Sequence, residues 1–547
     1  MRWFDAAAAW RPAWLERVPP LALAAGVLVL AGIALAGRWR ELGGPPLDSL
    51  RGGLLLVVGL AILFRLPLAW QGGAGYVTPD GALSGIVALH VRDGTEHLVF
   101  VPHVPYSGSL KSHLTAPLAA AIDPARAFAL VSVGFYAAFV AALYLLAMLA
   151  GGTGWSALAA GLYAAFAPAF VTRYSLSNDG NYVEVLALGT WALVAAARWR
   201  REDQAAEPLG FACGLLLGLA FWCHILAVIH AAAIALWALA VAPRRALRIA
   251  PLALLGFVLG DWPGLLWNAA NSWESFQYLL PGRVGGGGPA AGPEGAARAW
   301  RLVADQALVL FGYDPGYATR VDRALKALAV LAVGVAIVAS VAALREVFRR
   351  RSAELGLLLV LTGVNVLVAL LALPQIEGNP RYLQFLIAPL PIFMARLLDA
   401  PWRRWLMALL VAFGAAGSLA QVPGAIRADA QWRGFVADLE QEGVRWCDTD
   451  FHLATKINFL SQERIVCSSK LGPVTTEYFF GYRRRVEAAP EAALIAVNTS
   501  AAEKLERRLE RLGVTYERRD LMKPVLLRLS RKVDPEELFP GREFPLR

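Results

Sequence analysis

Apolar residues in this chain of 547 fall into long uninterrupted runs divided by short charged connectors. Each run is about 17 to 22 residues, the length a helix needs to cross the hydrocarbon core of a bilayer. Runs begin near Leu21, Gly53, Ala127, Ser156, Val183, Leu209, Ile225, Ile249, Ala324, Leu355, Leu383 and Leu406, which predicts about twelve crossings. The first run is too long for a cleaved signal core, so it is read as a retained helix. From about residue 431 the pattern changes. Short apolar stretches at 444–447, 464–467 and 493–497 alternate with helix-like segments at 454–461 and 501–512, which predicts a small α/β domain. The expected fold is therefore an α-helical polytopic membrane protein of about twelve transmembrane helices with a small C-terminal α/β domain. Residues 1–421 form the membrane part, with long loops at 71–126 and 268–322, and residues 422–547 form the soluble part.

Composition agrees with the pattern, because 57% of residues are hydrophobic and only 17% are charged, too apolar for a soluble domain. A net charge of +10 raises the question of nucleic acid. The arginines answer it by their positions. Arg38, Arg40 and Arg51, then Arg198, Arg200 and Arg201, then Arg244, Arg245 and Arg248 fall in alternate short loops. Arg345, Arg349, Arg350 and Arg351, and later Arg403 and Arg404, keep the same parity. The positive-inside tendency makes those loops cytoplasmic and the surplus charge topological, with no nucleic-acid partner expected. The N-terminal tail with Arg2, Arg11 and Arg17 falls on the other side and is outvoted by five loops. All the long loops and the C-terminal domain then lie outside, in a protein of the inner (plasma) membrane, and chemistry is expected at that face. Cys213 and Cys223 read as packing residues inside a span. Cys447 and Cys467 lie in the outer domain, where an oxidising compartment would let them pair.

The first outer loop opens with Tyr76-Val77-Thr78-Pro79-Asp80-Gly81. A carboxylate there suits a general base or a metal ligand, and equally a helix N-cap. Farther on, Pro105-Tyr106-Ser107-Gly108-Ser109-Leu110-Lys111 approaches the membrane with a lysine that either contacts phosphate or snorkels to the interface. His90, His97, His103 and His113 crowd the same loop without metal-ligand spacing. The next outer turn runs from Arg173 through Asp179 to Glu184, which stands about one turn inside a span, where an ionisable group usually faces a cavity. With Asp80 these acids form an outer cluster suited to base catalysis or to a divalent cation beside phosphates. His224, His230 and Asp261 lie at membrane depth, and Arg381 opens a late span, suited to an anionic headgroup or to interfacial anchoring. The glycine-rich stretch 284–293 lacks the Lys-Ser/Thr of a phosphate loop and reads as a flexible segment or lid.

The order of these parts resembles the polyprenyl-phosphate-dependent glycosyltransferases of the C superfamily, which include protein O-mannosyltransferases and the aminoarabinose transferase of lipid A. The resemblance rests on Pro79-Asp80, the approach from Pro105 to Leu118, the turn from Asp179 to Glu184, the run Gly218 to His224, and Asn379-Pro380-Arg381-Tyr382 entering a late span. It covers the chain up to about residue 421. It implies a membrane enzyme that moves a hexosyl or pentosyl group from a polyprenyl-phosphate donor to a glycan, lipid or protein acceptor at the outer, periplasmic face. Carried over by position, Asp80 is the base, Asp179 and Glu184 are supporting catalytic acids, and Arg381 contacts the donor phosphate. Lys111, Tyr106, His224 and Arg173 are further substrate-binding candidates. Many relatives carry an acidic pair where this chain has Asp80-Gly81, and an acid is familiar at the position of Lys111. No metal ligand is therefore assigned, and a divalent cation is left open. The alternatives are a transporter or lipid flippase working through Glu184, His224, His230 and Asp261, and a noncatalytic membrane scaffold.

Overall fold

The computed structural model describes residues 47–177, 180–202, 206–277, 297, 300–313, 322–372, 380–472, 479–521 and 523–539. After α1 (Leu47–Gln71) the chain turns into α2 (Pro79–Asp93), the hairpin β1 (Phe100–Val101) and β2 (Val104–Gly108), and α3 (Leu110–Ala119). Then come α4 (Pro124–Leu149), α5 (Gly154–Ala165), α6 (Ala169–Tyr174), α7 (Tyr182–Arg201), α8 (Ala206–Cys223) and α9 (Val228–Val241). The pair α10 (Pro243–Gly260) and α11 (Trp262–Ala270) follows, bent by 73°. Next are α12 (Asp322–Arg350), α13 (Ala353–Ala372), the 3-10 turns of Pro380–Ile387, α14 (Pro389–Leu397) and the long α15 (Arg404–Gln441).

Among the described residues six helices, α1, α4, α8, α12, α13 and α15, are long and apolar enough to cross a membrane, or seven spans when α10 and α11 count as one. The run near Leu21 and the stretch 284–293 lie outside the described residues. The run from Val183 forms the unbroken 20-residue α7, which carries Glu184 and three arginines, and the remaining predicted spans are shorter or broken. The run from Ser156 stops at Ala165 and restarts at Ala169, and the run from Leu383 begins as 3-10 turns before α14. A break at membrane depth needs partners for its freed carbonyls. Here Arg65, fully buried in α1, donates to the Ala165 carbonyl at 2.7 Å, and the Tyr136 hydroxyl donates to the Ala164 carbonyl at 2.8 Å. Ser418 and Thr172 donate to the Ala167 carbonyl at 2.8 and 3.0 Å. The apolar side chains left exposed, such as Val330, Ile337, Val338 and Phe348 on α12, are the lipid-facing complement of this core.

α15 runs unbroken across residues 421 and 422 into the C-terminal domain, where Phe435, Val436 and Leu439 join its core. That domain contains β3 (Trp446–Asp448), α16 (Phe451–Leu460), β4 (Val466–Ser468), α17 (Phe480–Ala488), β5 (Ala493–Ala496), α18 (Thr499–Arg511), β6 (Tyr516–Asp520) and β7 (Val525–Leu529). The sheet order is β4-β3-β5-β7-β6, with β3 parallel to β4 and β5, and β7 antiparallel to β5 and β6. Cys447 and Cys467 are direct register partners in β3 and β4, with Cα atoms 4.4 Å apart, and form a disulfide.

Candidate active site

Asp80 stands in the first turn of α2, and the sequence around it frees its carboxylate from capping. The N-cap is Thr78, whose hydroxyl accepts from the Gly81 N–H at 3.1 Å, while Pro79 supplies a first-turn residue that needs no hydrogen bond. The segment before α2 is fixed by α15. The Asp429 carboxylate accepts from the Ala74 N–H at 2.7 Å, and Arg433 bridges Asp429 and Asp123 at 2.7 and 2.8 Å. Gly75 has no room for a side chain, since a Cβ would lie 2.3 Å from the Ala425 carbonyl oxygen.

The Asp80 side chain is exposed, yet desolvation by the surrounding protein pushes its pKa above the usual carboxylate range, against the opposing influence of Arg381 and His452. The charged groups acting on it come from distant parts of the chain. Arg381, from the 3-10 turns at the start of the late outer segment, lies within electrostatic reach of Asp80, Tyr174, Tyr182 and His224, with its guanidinium 5.2 Å from the centre of the Tyr382 ring. Tyr106 and Tyr182 pack on the His224 ring at centroid distances of 5.5 and 5.2 Å, and Tyr174 on Tyr182 at 5.9 Å. The result is a carboxylate facing a guanidinium over an aromatic and phenolic floor.

Backbone ties hold that floor. Asn181, in the left-handed conformation, donates through its amide to the Gly108 and Cys223 carbonyls at 2.6 and 2.9 Å and to Ser107 at 3.1 Å. Ser107 and His224 form an isolated bridge, and a Cβ on Gly108 would lie 1.9 Å from the Trp222 carbonyl oxygen, so the hairpin and the end of α8 touch backbone to backbone. The His224 Nδ1 accepts from the Leu226 N–H at 3.1 Å, which places the ring proton on Nε2.

Lys111 neither snorkels nor reaches solvent. Its Nζ lies 2.8 Å from the Glu184 carboxylate, and both side chains are buried, at 1% and 0% exposure. The pair sits within electrostatic reach of Cys223, as does Asp261 at the α10–α11 bend, and so forms the layer behind His224. Arg173 ends α6 with its side chain exposed beside Tyr174. Asp179 lies outside the described residues. The site therefore links Asp80, Arg381, His224 and Tyr106 in one chain of neighbours and places Glu184 and Lys111 in a buried ion pair near Cys223, beside His224. Tyr174, Tyr182, Asn181 and His452 were not singled out from the sequence. A tyrosine on each side of the 175–181 turn was the available signal for the first two, and nothing local marks His452.

Among the described residues no group of three or more His, Cys, Asp or Glu could hold a metal ion. Glu184 is neutralised by Lys111, and Asp80 faces Arg381 and His452, so these residues do not by themselves form a divalent-cation site.

No family model matches the chain, and no curated protein matches it. Among solved structures it is similar to the archaeal oligosaccharyltransferase AglB from Archaeoglobus fulgidus in complex with an inhibitory peptide and a dolichol-phosphate. The identity is 12% over 81% of this chain and 69% of that one, with a TM-score of 0.48. An Archaeoglobus fulgidus oligosaccharyltransferase complex with Zn and sulfate is similar at 12% identity, over 87% and 73% of the two chains, with a TM-score of 0.49. ArnT from Cupriavidus metallidurans bound to undecaprenyl phosphate is similar at 13% identity, over 87% and 98%, with a TM-score of 0.47. Identities this low transfer no residue roles.

Proposed function

We propose that this chain is a membrane glycosyltransferase that moves a sugar from a polyprenyl-phosphate donor to an acceptor hydroxyl at the outer face of the plasma membrane. The observation that carries the reading is an exposed but desolvated Asp80 within electrostatic reach of Arg381, which itself borders the cluster of Tyr182, Tyr106 and His224. A donor of this kind arrives activated, so the protein must accept a proton from the acceptor and support negative charge on the leaving phosphate. Asp80 has the chemistry for the first task. Arg381, a planar cation suited to phosphate oxygens, has it for the second. Lys111 and Glu184 brace the wall behind, Arg173 is the nearby exposed cation for the donor, and Asp179 completes the acidic turn in this reading. About twelve crossings, with the C-terminal domain outside, are part of the same proposal.

The test is transfer from labelled polyprenyl-phosphate sugars to envelope extracts by the purified chain in nanodiscs. Asp80→Asn is expected to lower the rate by about 10²- to 10⁴-fold, the range of general-base effects. Undiminished transfer in that variant would remove Asp80 from the role. The transport alternative draws on His230 and Asp261, which are buried and whose side chains find no hydrogen-bond partner among the described residues. It predicts proteoliposome uptake that survives Asp80→Asn and fails in Glu184→Gln.

A further inference from the structure

The helix that carries Asp80, α2, packs along one side against the C-terminal domain. α16 lies along α2, and the two helices run in the same direction. Phe459 packs where Gly85 lacks a side chain, since a Cβ there would come within 2.4 Å of the ring. Leu83, Ile86 and Val87 of α2 share one apolar cluster with Phe451 and Phe459. At the far end the His90 Nε2 meets Glu463 at 3.2 Å and the Arg92 guanidinium donates to Gln462 at 2.7 Å. Gln462 and Glu463 both take positive φ, 51° and 58°, a strained conformation for residues with side chains. Backbone bonds to the Phe459 and Asn458 carbonyls close that turn, and the contacts with α2 join it to the membrane part. Followed back from Phe459 and Gly85, the two helices reach their first turns together, one carrying His452 and the other Asp80.

His452 is exposed, and the charged groups acting on Asp80 are Arg381 from the membrane part and His452 from the C-terminal domain. Arg381 stays charged throughout any working pH range and cannot take a proton. An imidazole can. We propose that His452, supplied by the C-terminal domain, is the proton-accepting partner of Asp80. This rests on the transferase reading above. In the transfer step the acceptor O–H bond breaks and its hydrogen goes to the Asp80 carboxylate. The acceptor oxygen forms the new bond to the anomeric carbon, and the bond from that carbon to the phosphate oxygen breaks, its electron pair leaving on the lipid phosphate. The proton then passes from Asp80 to a ring nitrogen of His452 and on to water, which restores both groups. The α16 contacts position the ring, and the domain is thereby part of the active site.

Two measurements on the full chain test this. In a cysteine-exchanged background, Asp80→Cys with His452→Cys is expected to cross-link under mild oxidation, whereas Asp80→Cys with Lys504→Cys on the distant α18 is not; absence of the first cross-link overturns the pairing. In the transferase assay His452→Gln is expected to lower kcat by about 10- to 100-fold, the lower part of the acid–base range, and to move the acid limb of kcat/KM to higher pH, with donor KM held. In the Asp80→Asn background the same substitution is expected to add little, because the proton no longer passes that way. A His452→Gln enzyme with wild-type kcat and pH profile, or one whose effect multiplies fully with Asp80→Asn, overturns the proposal while leaving the transferase reading intact. A folded wild type that transfers from no polyprenyl-phosphate sugar overturns both.

Discussion

At the scale of single residues, the informative fact about Asp80 is the combination of accessibility and desolvation. A carboxyl on an open surface keeps its ordinary pKa, and one sealed in a core reaches no substrate. Asp80 does neither. Its net shift is upward, because desolvation outweighs the attraction of Arg381 and His452. A base must be ionised to work, so activity is lost as pH falls through a raised pKa, sooner than for a free carboxylate. The acid limb of kcat/KM in the wild type should therefore lie above the usual carboxylate range of about 4, and Arg381→Met, which removes one stabilising charge, should move it higher still. A limb at or below that range in both proteins would contradict the desolvation of Asp80. The sequence offered base or cap for this residue, and Thr78, two residues nearer the helix start, takes the cap. Glu184 was legible as a costly intramembrane acid. Its partner was not, because Lys111 is 73 positions away and only the fold, with α3 and α7 both packed on α4, brings the two to 2.8 Å.

At the scale of elements, that ion pair holds α3 against α7 from inside the protein, and its energetics differ from those of a surface bridge. Neither charge has water to return to, so removing one strands the other. Lys111→Met and Glu184→Leu are each expected to destabilise by about 3 to 5 kcal/mol, while the double replacement should recover most of the loss. Thermal unfolding of the three variants in one detergent reads this directly, and additive losses in the double variant would mean the groups are not a pair. A second joint, between α2 and the C-terminal domain, carries a titratable contact. Burial alone would lower the His90 pKa, but Glu463 and Glu96 hold it above the ordinary histidine value. A raised folded-state pKa means the contact stabilises fully below the unfolded value of about 6.5 and fades as pH rises through the folded one. Proteolytic release of the C-terminal domain should accelerate over that window, and His90→Phe should flatten the dependence; a flat wild-type profile would leave His90 without this role. The elements themselves were unevenly legible. Long apolar helices and the buried strands β3, β4 and β5 follow from pattern alone. The broken helices do not, since α5 and α6 read as one apolar run although Arg65 and Tyr136 supply partners at their break, and α10 and α11 likewise read as one although they bend by 73°. β6 escaped because it is an exposed edge strand, Tyr-Glu-Arg-Arg-Asp, whose charges face solvent and blunt the edge.

At the scale of the whole molecule, the proposed chemistry requires one orientation in the membrane, and two unrelated features bear on it. The arginine-rich short loops are one, through the positive-inside tendency. The Cys447–Cys467 disulfide is the other, because such bonds persist in oxidising compartments and a reducing cytosol would open it. The bond closes a short loop around α16, the helix that carries His452, with 20 positions between its cysteines. Restricting the unfolded chain over a loop of that length is worth about 3 kcal/mol, so replacing both cysteines with alanine should loosen the domain measurably without altering the spans. Both features then meet in one measurement. In intact cells a reporter fused after Arg547 should be active only on the outer side, and the two cysteines should resist a maleimide reagent in the unfolded, unreduced protein while becoming reactive after reduction. A cytoplasmic reporter signal together with freely reactive thiols would place the site of Asp80 and Arg381 on the side where its donor is not presented, and would remove the transferase reading along with the topology.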